Sequence, residues 1–495
     1  MIQSHDSSRL VDALAVGLLA IIATTVVPLG GNRPFVWGAT GLLLGFMVLV
    51  YTVAGRQKAV PMPDWRWEAW AFVGFLALAL VQVLPIPSSV SLDHVTLVTG
   101  TLSLAQTDSL LSLLTWVQFG VVFAFAAVAA RNKRRSSWML ETLFWLACAQ
   151  AAFGLVSLFA VGDTLLGASK VQYQGFAIGT FVNRNSFATY VAAAIPIGIA
   201  ILATTDAADD PVKRRWLGAA RAAGLLLLVA ALVASGSRMG LVAGAAGAIL
   251  AILLVPAAGG LLGRAAGLIA VVVCAMLVVS AFGAPLLQRI VDPGDDLANR
   301  ITLYSQVWEA TLSRPLPGYG GGAFAAVFPV FQHAPLPGEL VWQRAHSTYL
   351  TLWLEYGLVA GSIPIVIVVG LWLNCFRSLF RHGANRAVLA TVTSVPVFAL
   401  HAAVDFSLEI HAVALFMTLL LALGTGAARG VREQLLSSSH ARKQCNPPMQ
   451  SHISSRACSA KTCLLSGAIA LPSTENFLCN DRRFQCAPRR RNCRS

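Results

Sequence analysis

Apolar runs of about 20 residues, nearly free of charged side chains, recur along this chain from residue 13 to residue 428. In hydrocarbon a backbone can satisfy its own N–H and C=O groups only as a helix or a closed barrel, and runs of this length select the helix. Twelve runs are discernible, at 13–29, 35–55, 69–86, 111–130, 138–160, 187–204, 217–235, 239–255, 265–284, 358–376, 387–404 and 410–428. The chain is 56% hydrophobic and 12% charged, with a mean hydropathy of +0.69, whereas a soluble domain carries about 25% charged residues. The expected fold class is an all-α polytopic membrane protein with about 12 transmembrane helices. The run at 239–255 (MGLVAGAAGAILAILLV) is rich in glycine and alanine, which lets neighbouring helices approach closely. The first run has no clear small-residue cleavage site and is followed by further runs, so it reads as a span rather than a signal peptide.

Basic residues alternate with the spans. Arg56, Lys58 and Arg66 follow the second run, Arg131, Lys133, Arg134 and Arg135 the fourth, and Lys213, Arg214 and Arg215 the sixth. Arg264 follows the eighth, Arg377, Arg381 and Arg386 the tenth, and Arg429 and Arg432 the twelfth. Lysine and arginine collect on the cytoplasmic side, so both termini are expected there and the odd-numbered loops outside. Of the outer loops (87–110, 161–186, 236–238, 285–357 and 405–409), only 285–357, between spans 9 and 10, is long enough for structure of its own. It holds a helix-like run at 300–314, a glycine-rich turn region at 315–324 and the segment 346–358. In that segment Tyr349, Leu350, Trp353 and Leu354 make an apolar stripe at helical spacing, read as an interfacial helix leading into span 10.

The net charge of +14 does not indicate a nucleic-acid partner. Residues 441–495 hold 10 basic and 2 acidic residues, net +8, which leaves +6 for residues 1–440. Two parts are expected: a transmembrane domain over 1–432 and a disordered, Cys- and Arg-rich cytoplasmic tail over 433–495, native or of foreign reading frame. Six cysteines (Cys445, Cys458, Cys463, Cys479, Cys486, Cys493) fall in the tail at spacings that match no zinc pattern, and Cys148, Cys274 and Cys375 read as small apolar residues of the spans.

Charges inside the runs are confined to their ends, as at Glu141, Arg221 and His401, which argues against a proton-coupled transporter. The outer loops instead hold Arg184, Arg238, Arg289, Arg300, Arg314 and Arg344, where arginine is expected to be scarce. Guanidinium forks bind phosphate bidentately and stay charged, so an external phosphate or pyrophosphate ligand explains the set. Pairing with lipid headgroups, or with Asp292, Asp295, Asp296 and Glu309, is the plainer explanation. Arg238 sits in a turn of a few residues (ASGSRMG) that keeps it at the membrane surface. His346 opens the 346–358 helix, whose N-terminus disfavours an imidazolium, and a neutral imidazole can accept a proton from an alcohol; interfacial packing is the alternative. Asn183, Arg184 and Asn185 read equally as ligand groups or as a polar cap on span 6. No metal is expected, although the acidic run DPGDD is a conceivable cation site.

Five segments, in order over about 430 residues, resemble the O-antigen ligase and polymerase family: QVLPIP (82–87), GTFVNRNSFATYVAAAIPIG (179–198), ASGSRMGLVAG (234–244), RITLYSQVWEATLSRPLPGYGGGAF with AHSTYLTLWLEYGLVAGS (300–324 and 345–362), and HAAVDFSLEIHA (401–412). The resemblance implies a GT-C-like inner-membrane glycosyltransferase with core motifs over 179–362. Its donor would be a glycan on an undecaprenyl diphosphate carrier, and its acceptor a sugar hydroxyl on lipid A–core or on a growing polysaccharide at the periplasmic face. It implies no cofactor, and catalytic roles for Arg238, Arg300 and His346. Substrate binding would fall to Asn183, Arg184, Asn185 and Arg344. His346-Ser347, nine residues and then Gly357 reproduce the family's histidine motif. Where ligases often carry a further glycine, this chain has Ala360 beside Gly361. A polymerase, and a non-catalytic polysaccharide export or binding partner, stay open as alternatives.

Overall fold

The computed structural model describes residues 2–58, 66–92, 95–204, 210–255, 276, 296–339, 341–383 and 385–445. It is an all-α polytopic membrane protein: among the described residues eight helices are long and apolar enough to cross a membrane, and three shorter apolar helices accompany them. In chain order these are α1 (Ile2–Val26), α2 (Pro34–Lys58), α3 (Trp67–Val83), α4 (Gln106–Ala130), α5 (Lys133–Phe159), α6 (Arg184–Ala203), α7 (Pro211–Ala234) and α8 (Arg238–Leu254). After α8 come two loop helices, α9 (Asp296–Ser313) and α10 (Phe324–Phe331), and then α11 (Thr348–His382), α12 (Arg386–Ala402) and α13 (His411–Cys445). Eleven of the expected runs coincide with these helices. The run at 265–284 lies outside the described residues except for Met276.

Local sequence explains where the helices start. Asn132, Asn183, Asp210, Ser237 and Asn385 each turn a side-chain oxygen onto a first-turn N–H of α5, α6, α7, α8 and α12. Such caps satisfy donors that no preceding turn can. The helices then sort by burial. α6 and α13 are 83% buried over their apolar windows and form the centre, whereas α2 is 22% buried and turns Leu42, Phe46 and Val53 outward, toward lipid. α8 packs into the centre on its glycines. A Cβ at Gly240 would stand 2.7 Å from the Ala188 Cβ of α6, and one at Gly247 would stand 2.4 Å from Val397 Cγ2 of α12. The small-residue stripe is thus a close-packing face, and it sets the first turns of α6 and α8 side by side.

The long loop has its own apolar core, in which Leu303, Val307, Tyr319, Phe324, Phe328 and Leu354 are fully or almost fully buried. α11 is two helices joined at Gly357, whose φ of 79° and ψ of 167° break the helical path. The glycine-rich segment closes on this break: Leu358 N donates to Pro315 O at 2.7 Å, Tyr319 N to Leu354 O at 3.0 Å and Gly320 N to Glu355 O at 2.8 Å. Gln82, at the end of α3, adds donations to the carbonyls of Pro317 (2.7 Å) and Glu355 (2.9 Å). The stripe expected on 346–358 is divided among neighbours. Leu354 is in the loop core, Trp353 meets Trp308 edge-on at 6.0 Å, and the Tyr349 hydroxyl donates to Ala399 O of α12 at 2.9 Å.

Two features differ from the sequence reading. The loop at 87–110 contains an antiparallel hairpin, Ser88–Leu92 paired with Val95–Thr99 in the register Ser88↔Thr99 to Leu92↔Val95. Its β-branched residues favour strand, but the segment is too short to stand out among the long apolar runs. The last helix also runs past 432, to Cys445, because nothing in REQLLSSSHARKQ breaks a helix once one is nucleated. Residues 446–495, which hold the rest of the expected tail, lie outside the described residues.

Candidate functional site

The first turns of α6, α8, α9, α11 and α13 and the last turn of α12 bring most of the expected residues to one end of the bundle. The connection between α12 and α13 organises them. Within it Asp405 is 1% exposed and Ser407 fully buried, and the Ser407 hydroxyl donates to Asp405 Oδ1 at 2.6 Å and lies 3.4 Å from His401 Nδ1. Asn185 Nδ2, from the first turn of α6, donates to Asp405 Oδ2 at 2.8 Å. Arg300 Nη1, from α9, donates to Val404 O at 2.7 Å, and Thr348 Oγ1, from α11, to Asp405 O at 3.3 Å. Arg344 Nη1 pairs with Glu409 Oε2 at 2.7 Å, and Thr351 Oγ1 donates to Glu409 Oε1 at 2.8 Å. Three separate stretches of chain are thus tied to one short loop. Burial holds the Glu409 carboxyl above the usual carboxylate range, and Asp405 adds to this, while Arg344 and the Thr351 hydroxyl act against it.

His346 stands where the long loop enters α11. Its φ of 52° lies in the left-handed region, which costs a non-glycine residue free energy and persists only where neighbours fix it. The neighbours are visible. The Tyr304 hydroxyl donates to His346 O at 2.8 Å, and the imidazole sits edge-on to Phe406 (5.1 Å) and to Trp342 (5.7 Å). The ring is therefore held between the long loop and the α12–α13 connection, two residues from the Arg344–Glu409 pair.

Arg184 and Arg238 lie one helix over. The Arg184 guanidinium covers the rings of Phe176 (4.7 Å) and Tyr173 (5.4 Å). The same Phe176 ring packs where Gly236 has no side chain, two residues before Arg238. Lys170, 5% exposed, fixes this loop by pairing with Asp163 and by donating to Phe176 O at 2.7 Å. Asn183 is the α6 cap: its Oδ1 accepts from Asn185 N at 2.7 Å, and its Nδ2 donates to the Tyr173 hydroxyl at 3.1 Å. Arg238 is the first residue of α8, half-buried behind the Ser237 cap.

Two expected members separate from this group. Arg314 stacks its guanidinium 5.3 Å from the Tyr319 ring and donates to Leu102 O at 3.3 Å, closing the end of α9. Arg289, with Asp292 and Asp295, lies outside the described residues. Among the described residues no group of three His, Cys, Asp or Glu is arranged to hold a metal.

The sequence reading missed Asp405, Glu409 and Tyr304. The available signal was two carboxylates in a five-residue outer loop between apolar runs, where acids are costly unless they are used. The span-end charges Glu141 and Arg221 satisfy each other in a bidentate pair at 2.8 and 3.1 Å on the opposite end of the bundle. Residues 223–365 match the family model described as O-antigen ligase, a stretch that takes in Arg238, Arg300, Arg344, His346 and Gly357. Asn183, Arg184, Asn185 and Asp405 lie outside it. No curated protein gives a significant match. Residues 223–365 are thus similar to the O-antigen ligase domain, and together with the apolar helices this supports a multi-pass membrane protein with an O-antigen ligase or polymerase type of function in polysaccharide biosynthesis.

Proposed function

We propose that the protein moves a glycan from an undecaprenyl diphosphate carrier to a sugar hydroxyl on the periplasmic face of the inner membrane, in the manner of an O-antigen ligase. The observation that carries this reading is the gathering of arginines and one histidine at the end of the bundle away from the basic loops. Arg300, Arg344 and His346 surround the α12–α13 connection, and Arg184 and Arg238 lie on the adjoining first turns of α6 and α8. In the transfer, the bond between the sugar C1 and the diphosphate oxygen breaks and a bond from C1 to the acceptor oxygen forms. The leaving diphosphate gains negative charge as that bond breaks. Arg238 and Arg300, fixed before the reaction, stabilise that charge more in the transition state than in the ground state. His346 takes the proton of the attacking hydroxyl. A single displacement inverts the anomeric centre. Asn183, Arg184, Asn185 and Arg344 bind the sugar and phosphate groups around this pair of functions.

The test is transfer by the purified protein in membranes, given a lipid-diphosphate glycan donor and, separately, lipid A–core or a repeat-unit acceptor. Single-step capping of lipid A–core supports the ligase. A glycan ladder on the repeat-unit acceptor replaces that assignment with a polymerase, and no transfer to either refutes the enzyme.

Two further expectations belong to this reading. The arginines supply the positive charge that a divalent cation supplies in many diphosphate-leaving reactions, so activity should survive EDTA. Loss in EDTA with recovery on Mg²⁺ or Ca²⁺ would refute the metal-free mechanism. The lysine and arginine alternation supports a topology with both termini in the cytoplasm. Single cysteines introduced at positions 163 and 335 should then react with an impermeant reagent from outside, and those at 133 and 213 should not. Outside labelling of 133 without 335 would invert the topology.

A further inference from the structure

The end of the bundle opposite the transfer site holds a groove of about 680 Å³ between α5, α7 and α12, which the proposed reaction does not use. Lys133 and Arg134, in the first turn of α5, line its mouth. Both are exposed, and among the described residues neither side chain is paired with an acid. Deeper in the groove Glu141 is taken by Arg221 through the bidentate pair, so the acid of the lining is neutralised from within. Arg386, 8% exposed, closes the third side and donates to the Thr204 hydroxyl at 3.0 Å. The wall below the cations is aromatic: Trp138 and Trp145 line it, and Trp145 is 38% exposed. The groove is therefore cationic at its mouth and aromatic further along the helices.

That gradient matches one kind of molecule. A free anion would use the mouth and leave the tryptophan wall bare, and a zwitterionic lipid would bring an ammonium against Lys133 and Arg134. An anionic lipid meets both parts, its phosphate at the cations and an acyl chain along the indoles. Basic pockets between helices on the cytoplasmic side have this character, and Trp138, about one turn past Arg134, stands where headgroup meets chain, with Trp145 about two turns further along α5, toward the acyl region. We propose that this groove binds an anionic phospholipid of the leaflet on the basic side of the membrane, its phosphate held by Lys133 and Arg134 and one chain lying against Trp145. The site is independent of the transfer reaction, and its test needs no turnover.

Native mass spectrometry of the detergent-solubilised full chain reads it directly. Phosphatidylglycerol, phosphatidylcholine of the same chains and inorganic phosphate are titrated onto the wild type, K133Q/R134Q, W145A and a control, R377Q/R381Q, which removes two exposed cations from the end of α11. The expected result is retention of phosphatidylglycerol in preference to both other ligands. K133Q/R134Q should weaken it on the order of 10-fold. W145A, which leaves the charge intact, should also weaken it, and the control should bind as the wild type does. The four proteins should elute alike on size exclusion; if K133Q/R134Q does not, W145A against the control decides. The proposal is overturned if phosphatidylcholine binds as well as phosphatidylglycerol or if inorganic phosphate is held as firmly as the lipid. It is equally overturned if the control loses as much as K133Q/R134Q, which would reduce the effect to net charge.

Discussion

Alanine at Arg238 or at Arg300 lowers glycan transfer on the order of 10²–10³-fold, the usual cost of removing one preorganised group aimed at developing charge. The two substitutions differ in what else they disturb. Arg238 opens α8 behind the Ser237 cap, and its removal leaves that cap and the glycine packing of α8 on α6 intact. Arg300 also donates to Val404 O, so its loss loosens α9 from the α12–α13 connection. Arg300→Ala is therefore expected to lose stability as well as rate. Arg238→Lys should recover only part of the activity, because an ammonium is a point charge and cannot make a two-pronged contact with phosphate. Arg314→Ala serves as the control: its guanidinium stacks on Tyr319, so the variant should melt earlier yet transfer normally per folded molecule. Initial rates normalised to folded protein check the series, and near-normal transfer by well-folded Arg238→Ala contradicts the assignment.

Gly357→Ala should damage the fold severely. At φ 79° and ψ 167° the backbone is in a region that is essentially glycine's own, at a cost of about 1–3 kcal/mol for other residues. Space forbids the side chain as well: a Cβ there would stand 2.1 Å from Leu316 O and 2.9 Å from Pro315 O. The neighbour at fault is backbone, pinned by the Leu358–Pro315 hydrogen bond, so it cannot swing aside as a side-chain tip would. The break at Gly357 sets the direction of the 348–356 helix, and with it the position of His346. The variant is expected to be poorly recovered as a monodisperse protein, with any recovered fraction inactive. Monodispersity in detergent and melting temperature measure it, and a well-behaved Gly357→Ala with normal melting would show that the break can relax.

The spans were legible because a membrane imposes length and composition on each of them independently, and eleven can be matched to helices one by one. The α8 packing face was also legible, since glycine and alanine at that density serve little else. Gly357 was legible as a motif position but not as a break, because the reason lies in residues 315–320, which close on it from another part of the chain. The site was half legible. Its arginines and His346 stood out through charge on the outer side, where little is expected. Asp405 and Glu409 did not, because a five-residue loop has no periodicity to read, and their role depends on Asn185 and Arg344 arriving from far along the sequence. Asn183 carried two readings on sequence, and its capping bonds to the start of α6 account for its side chain in the structure. Tyr304 had no signal of its own; only the contact of its hydroxyl with His346 O marks it.

The central claim is that His346 serves the acceptor while the arginines serve the donor, and one measurement separates the two. Donor binding and single-turnover transfer are measured on the same preparations of wild type, His346→Ala and Arg238→Ala, using a lipid-diphosphate glycan in nanodiscs. The account predicts that His346→Ala binds donor as the wild type does and transfers little of it, while Arg238→Ala loses both. Near-normal transfer by folded His346→Ala, or loss of donor binding equal to that of Arg238→Ala, would contradict it.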